Sequence, residues 1–91
     1  MLNNDKYNIK VADGFFQRLL GLMFKKNINY ALLFNKCKSV HTFFMFMNID
    51  ILALDNNDNI IKTYKNVKPG RIIIGPKGTK KILEVPTKIN K

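Results

Sequence analysis

The chain has 91 residues, 46% of them apolar, with 16 basic against 6 acidic side chains and a net charge of +10. That length holds a single domain, 1–91, with its core expected over about 6–86 and a flexible basic tail over 87–91. One cysteine excludes an internal disulfide, and the longest weakly charged stretch, Ser39–Leu54, is broken by Asp50 and falls short of the about 20 residues a membrane span needs.

Tyr7, Ile9 and Val11 alternate with Asn8 and Lys10, the period of a half-buried strand over 6–11. Asp13 offers an N-cap, and Phe15, Phe16, Leu19 and Leu20 follow at helical spacing. Gly21 can close that helix at the position where a positive φ is needed, so one short helix is predicted over 13–20. Tyr30–Phe34 is an apolar run between Asn29 and Asn35 and suits a buried strand. Thr42–Met47 is apolar on both alternating faces, which predicts a strand covered on both sides. Ile49–Leu54, the turn Asp55–Asn59 and Ile60–Tyr64 form a hairpin. Val67–Gly70 is a second turn, Arg71–Ile74 a short strand, Gly75–Gly78 a third turn, and Lys81–Val85 a final strand stopped by Pro86. Six or seven short strands and one short helix predict a mainly β (α+β) domain, a small sandwich or partly closed barrel.

The segment Cys37–Asp50 concentrates the chemistry. It holds the sole cysteine and the sole histidine, Cys37 and His41, four residues apart. Such a pair could be a nucleophile and its base, with Asp50 or Asn48 to orient the imidazole and Lys36 and Lys38 to favour the thiolate. In extended chain the two lie about 13 Å apart, so they meet only if the chain turns at Lys38-Ser39. Two such ligands are too few for zinc, so no metal site and no cofactor is expected. The alternative is a half-buried thiol and a structural histidine at a strand start, with the whole segment a central buried strand. Asp50, inside an apolar run, requires a partner: Arg18, Arg71 or backbone N–H groups. Gly75–Lys80 lacks the spacing of a phosphate loop and reads as a surface turn.

Fourteen of the 16 basic residues are lysine. Nucleic-acid recognition favours arginine's planar fork, so a nucleic-acid partner is possible but not favoured. Residues 1–10 have no apolar stretch of the kind that directs secretion, and the expected location is cytoplasmic.

Arg18-Leu19-Leu20-Gly21-Leu22-Met23 resembles an R-x-x-G-L-M motif. Ala31–Phe34, His41-Thr42-Phe43-Phe44-Met45, Ile49-Asp50-Ile51 and Ile82–Pro86 follow it in order. Together, residues 12–86 resemble DUF192, a bacterial and archaeal family of uncharacterised domains, in a variant with Cys37-x-x-x-His41-Thr42. The chain departs from the commoner form in having no tryptophan before Met45 and no glycine after Pro86. The resemblance implies a mainly β fold with one short helix, and no activity. Arg18, Gly21, Met23, Met45 and Asp50 match motif positions, which makes Arg18, Met23, Met45 and Asp50 the candidate binding residues and Cys37, His41 and Asp50 the catalytic ones. With no complete catalytic set, the expected role is a non-catalytic binding or accessory protein. Its groove would lie near 13–20 and 41–50, and its ligand would be a protein or a small molecule. The alternatives are a cysteine-dependent or redox-sensitive site and an electrostatic nucleic-acid binder.

Overall fold

The computed structural model describes residues 7–12, 22, 25 and 28–90. Among them are seven strands: β1 (Asn8–Val11), β2 (Tyr30–Asn35), β3 (Ser39–His41), β4 (Ile49–Leu54), β5 (Ile60–Val67), β6 (Ile72–Ile74) and β7 (Lys81–Pro86). A short 3-10 helix, Thr87–Ile89, follows β7 directly.

β4 is the organising strand. All six of its residues are buried, as expected of a strand with apolar layers on both faces. It lies between β7 and β5 in a five-stranded sheet of order β1-β2-β7-β4-β5. β1 and β2 run parallel and the other neighbours antiparallel. On one face Leu32, Phe34, Ile49, Ile51, Ala53 and Ile82 form the larger apolar cluster. β3 and β6 pair as a separate two-stranded sheet whose Val40 and Ile73 pack against that cluster. On the opposite face Ala31, Leu52, Leu54, Leu83 and Val85 form a second cluster, with Tyr7, Ile9 and Ile89 packed on it. The fold is therefore mainly β, with two sheets that do not close into a barrel.

The hydrophobic runs at 30–34, 49–54 and 81–85 fall on β2, β4 and β7. The hairpin turn is held by Asp55, whose Oδ1 accepts from the backbone N–H groups of Asn57 and Asn59 at 2.8 and 2.9 Å. The helix expected over 13–20 lies outside the described residues.

Thr42–Met47 is not the buried strand that its composition predicts. It is a turn: Met45 N–H donates to the Thr42 carbonyl at 3.4 Å, and Phe44 adopts φ +61°. Thr42 and Met45 are buried and Met47 packs against the larger cluster, while Phe43, Phe44 and Phe46 are exposed. Within the segment expected as a tail, Thr87–Ile89 form the 3-10 helix, and Thr87 and Asn90 donate to Asp50 of β4.

Gly75 owes its identity to packing. A Cβ there would come within 3.0 Å of the Thr79 side chain. Thr79 cannot yield, because it is buried and its hydroxyl donates to the Pro76 carbonyl at 2.7 Å. Gly75→Ala is expected to cost about 2–3 kcal/mol, measured as a fall in urea midpoint at constant m-value.

Candidate functional site

Cys37, His41 and Asp50 are placed by three different local structures. The Cys37 thiol donates to the Ser39 carbonyl at 3.1 Å, and its side chain packs against the larger cluster. The His41 Nδ1 accepts from the Phe43 N–H at 3.2 Å, which leaves any proton of the neutral ring on Nε2. Its ring stacks on Phe43, with centroids 5.3 Å apart. Asp50 pairs in register with Val85 and follows Ile49, so its side chain points to the second cluster, across the sheet from Cys37. No hydrogen bond joins any two of the three.

Asp50 is 1% exposed and accepts three short hydrogen bonds. Asn66 N–H and Thr87 Oγ1 each donate to Oδ1 at 2.8 Å, and Asn90 Nδ2 donates to Oδ2 at 2.7 Å. Burial pushes the carboxyl upward, but the donors Asn66, Asn90 and Thr87, with the Lys65 charge, outweigh it and hold the group below the usual aspartate range. Its partners are thus a backbone N–H and two neutral side chains, and Arg71 is not among them. Asn66 adopts φ +55° to present its N–H. Tyr7, on the same face, is raised by burial and then by the Asp50 charge. This is the arrangement of a structural anchor: a carboxylate gathering β5, β7's extension and β4.

The His41 end is different. Thr42 is fully buried and staples the 42–47 turn to the 68–71 turn. Its hydroxyl donates to the Lys68 carbonyl and accepts from the Arg71 N–H, both at 2.8 Å, while its own N–H donates to the Arg71 carbonyl at 2.8 Å. His41 pairs in register with Ile72, and Ser39 with Ile74. Because Val40 and Ile73 face inward, Ile72 and Ile74 face outward, 64% and 71% exposed. Phe43, stacked on His41, and Phe44 and Phe46 of the same stapled turn are also exposed, at 40%, 64% and 54%. Lys68 and Arg71, both exposed, belong to the turn that Thr42 holds against this segment. The described carboxylates lie elsewhere: Asp50 and Glu84 are buried, and Asp55 and Asp58 sit in the β4–β5 turn.

Of the remaining candidate residues, Met45 is a core side chain at 5% exposure. Arg18, Gly21 and Met23 lie outside the described residues. Among the described residues no group of three or more His, Cys, Asp or Glu side chains could hold a metal ion, and no helix is long and apolar enough to cross a membrane.

Sequence reasoning missed the exposure of the phenylalanines and passed over Glu84. Glu84 is 2% exposed, and its Oε1 has no hydrogen-bond partner. Its register partners Leu32 and Ile51 both belong to the larger cluster, so the carboxyl enters an apolar layer. Burial pushes it up to about 8. The signal available was a lone carboxylate in the apolar run Ile82–Pro86, the same signal that singled out Asp50.

Comparison with known proteins places this arrangement in a family. Residues 2–90 match the family model DUF192, "Uncharacterized ACR". A UPF0127 protein of Thermococcus sibiricus is 38% identical over 84 residues, covering 86% of this chain and 54% of its own length. A UPF0127 protein of Pyrococcus horikoshii is 39% identical over 84 residues, covering 86% of this chain and 71% of its own. The chain therefore spans about half the length of some of the curated relatives it matches. Two crystallised proteins share the fold, each with a TM-score of 0.77. One, of unknown function, from Novosphingobium aromaticivorans, is 15% identical over 88% of this chain and 63% of that one. The other, from Sinorhizobium meliloti, is 19% identical over 89% of this chain and 69% of that one. With a family match over nearly its whole length and a two-layer β fold found in solved structures, the chain belongs to the DUF192 family.

Proposed function

We propose that this chain is a non-catalytic binding domain that docks a protein partner through the 42–47 turn and the outer face of β6. The observation that carries this reading is the exposure of five large apolar side chains, Phe43, Phe44, Phe46, Ile72 and Ile74, on two segments joined through Thr42 and the His41–Ile72 register. Scattered exposed apolar residues are ordinary, but five concentrated on two joined segments support an interaction surface. Phe44 adds to the case, since a bulky side chain at positive φ is costly and persists where the surroundings impose it. The exposed cations Lys68 and Arg71 on the adjoining turn favour a partner whose contact surface is apolar and edged with carboxylates. The expected contribution of segment 13–20 to a groove remains part of the proposal.

A cysteine-dependent reaction has less support, because the hydrogen bonds of Cys37, His41 and Asp50 lead away from one another. Nucleic-acid binding keeps one specific argument: exposed aromatics beside cations also form stacking platforms for single strands. The Sinorhizobium meliloti neighbour is described as a candidate transcription regulator.

A photo-crosslinking benzoylphenylalanine at position 44, expressed in the native host, tests the docking reading. Discrete adducts with protein are expected at position 44 and absent with the same probe at Lys62, on β5. No adduct at 44, equal adducts at both positions, or adducts with nucleic acid at 44 would overturn it. The nucleic-acid outcome should then show affinity falling by orders of magnitude between about 50 and 200 mM salt.

A further inference from the structure

The ends of three strands enclose a second feature, separate from the aromatic patch: an open cavity of about 500 Å³. Asn35 ends β2, Lys81 begins β7, and Asn56 comes from the turn after β4, while Lys36–Lys38 and Lys80 complete the wall. The wall is fixed by the backbone. Cys37 N–H donates to the Lys80 carbonyl at 3.0 Å, and Lys80 N–H donates to the Leu54 carbonyl at 2.8 Å. Lys36 turns the chain at φ +51°, a conformation usually left to glycine or asparagine.

Charge decides what this cavity suits. Four lysines line it. Lys81 is paired with Asp58 at 2.7 Å. Asp55, the other carboxylate of that turn, spends both oxygens on Asn57 and Asn59. Lys36, Lys38 and Lys80 are exposed, with no ion pair among the described residues. Three ammonium point charges and two neutral amides favour a compact anion of high charge, and lysine binds phosphate in this manner. A bare phosphate is far smaller than the cavity. The lysine stems and the Cys37 side chain supply apolar wall for an attached organic group.

We propose that this cavity binds a small phosphate monoester, the phosphate at the Lys36–Lys38–Lys80 mouth and the organic group against Cys37. The test is an amide-resolved NMR titration with phenyl phosphate, run beside inorganic phosphate and phenol at matched ionic strength. Saturable shifts are expected at residues 35–38, 56, 80 and 81, tighter for phenyl phosphate than for either fragment. Replacing Lys36 and Lys80 together by glutamine should weaken binding about tenfold or more. Replacing Lys62 and Lys65, on β5, should change it by less than about twofold. The same ligand should slow alkylation of Cys37 by iodoacetamide, with the same saturation. Shifts spread over the β5 lysines, equal loss in both double variants, or equal affinity for inorganic phosphate would overturn the proposal, as would no saturable shift at all.

Discussion

Glu84→Gln is expected to abolish most of the pH dependence of stability between about pH 5 and 9. The wild-type chain loses stability across that interval, and the variant stays nearly flat. The cause is the position of Glu84 at the middle of β7, where its register partners are Leu32 and Ile51 and its Oε1 has no partner. Burial disfavours the charged form and pushes the group from 4.5 up to about 8. A folded-state pKa above the unfolded value means that the folded chain holds the proton more tightly. Its stability is fully present below about 4.5 and is lost as pH rises towards about 8. At about 1.4 kcal/mol per pKa unit the gap corresponds to roughly 5 kcal/mol, an upper order of magnitude. Guanidinium midpoints at a series of pH values measure it. Glutamine is neutral throughout, so the variant should match the wild type within about 1 kcal/mol at pH 5 and exceed it by several at pH 9. A wild-type chain equally stable at both pH values would mean that the carboxylate finds a partner in solution.

The two buried carboxylates illustrate what the sequence makes legible. In each case a single acid stands within an apolar run, and elementary electrostatics says that it must be partnered or neutral. The local sequence cannot say which. Asp50 finds its donors 16 to 40 residues away, on β5 and beyond β7, while the Oε1 of Glu84 finds none. β2, β4 and β7 were readable because their apolar runs have strand length and are bounded by turn residues. Thr42–Met47 carries the same composition, yet composition cannot distinguish a buried strand from an aromatic-tipped turn. That difference rests on Thr42 bonding to the backbone of residues 68 and 71, a long-range contact with no local signature. Cys37 and His41 follow the same logic. Their spacing of four left a meeting possible, but the thiol's bond to Ser39 and the imidazole's bond to Phe43 direct them apart.

Asp50→Ala is expected to destabilise the chain by about 3–4 kcal/mol at neutral pH, the cost of removing a buried acceptor from three charge-assisted hydrogen bonds. The Asn66 N–H, the Thr87 hydroxyl and the Asn90 amide all lose their shared partner. Asp50→Asn separates charge from shape. One amide oxygen can still accept from Asn66 or Thr87, but the new N–H₂ confronts a donor, so a loss of about 2 kcal/mol is expected. The pH behaviour runs opposite to that of Glu84. The folded-state pKa of Asp50 lies below its ordinary 3.8, so its contribution is present above that value and disappears as pH falls through the folded pKa. Wild-type stability should therefore drop below about pH 4, and the asparagine variant should lack that part of the acid limb. Hydrogen exchange locates the effect. Amides of Asn66 and of residues 87–90 should lose protection in both variants, while the β2–β7 ladder keeps its order of protection. A uniform loss across the sheet would show instead that the carboxylate supports the whole fold, and an unchanged acid limb in Asp50→Asn would transfer the acid sensitivity to another group.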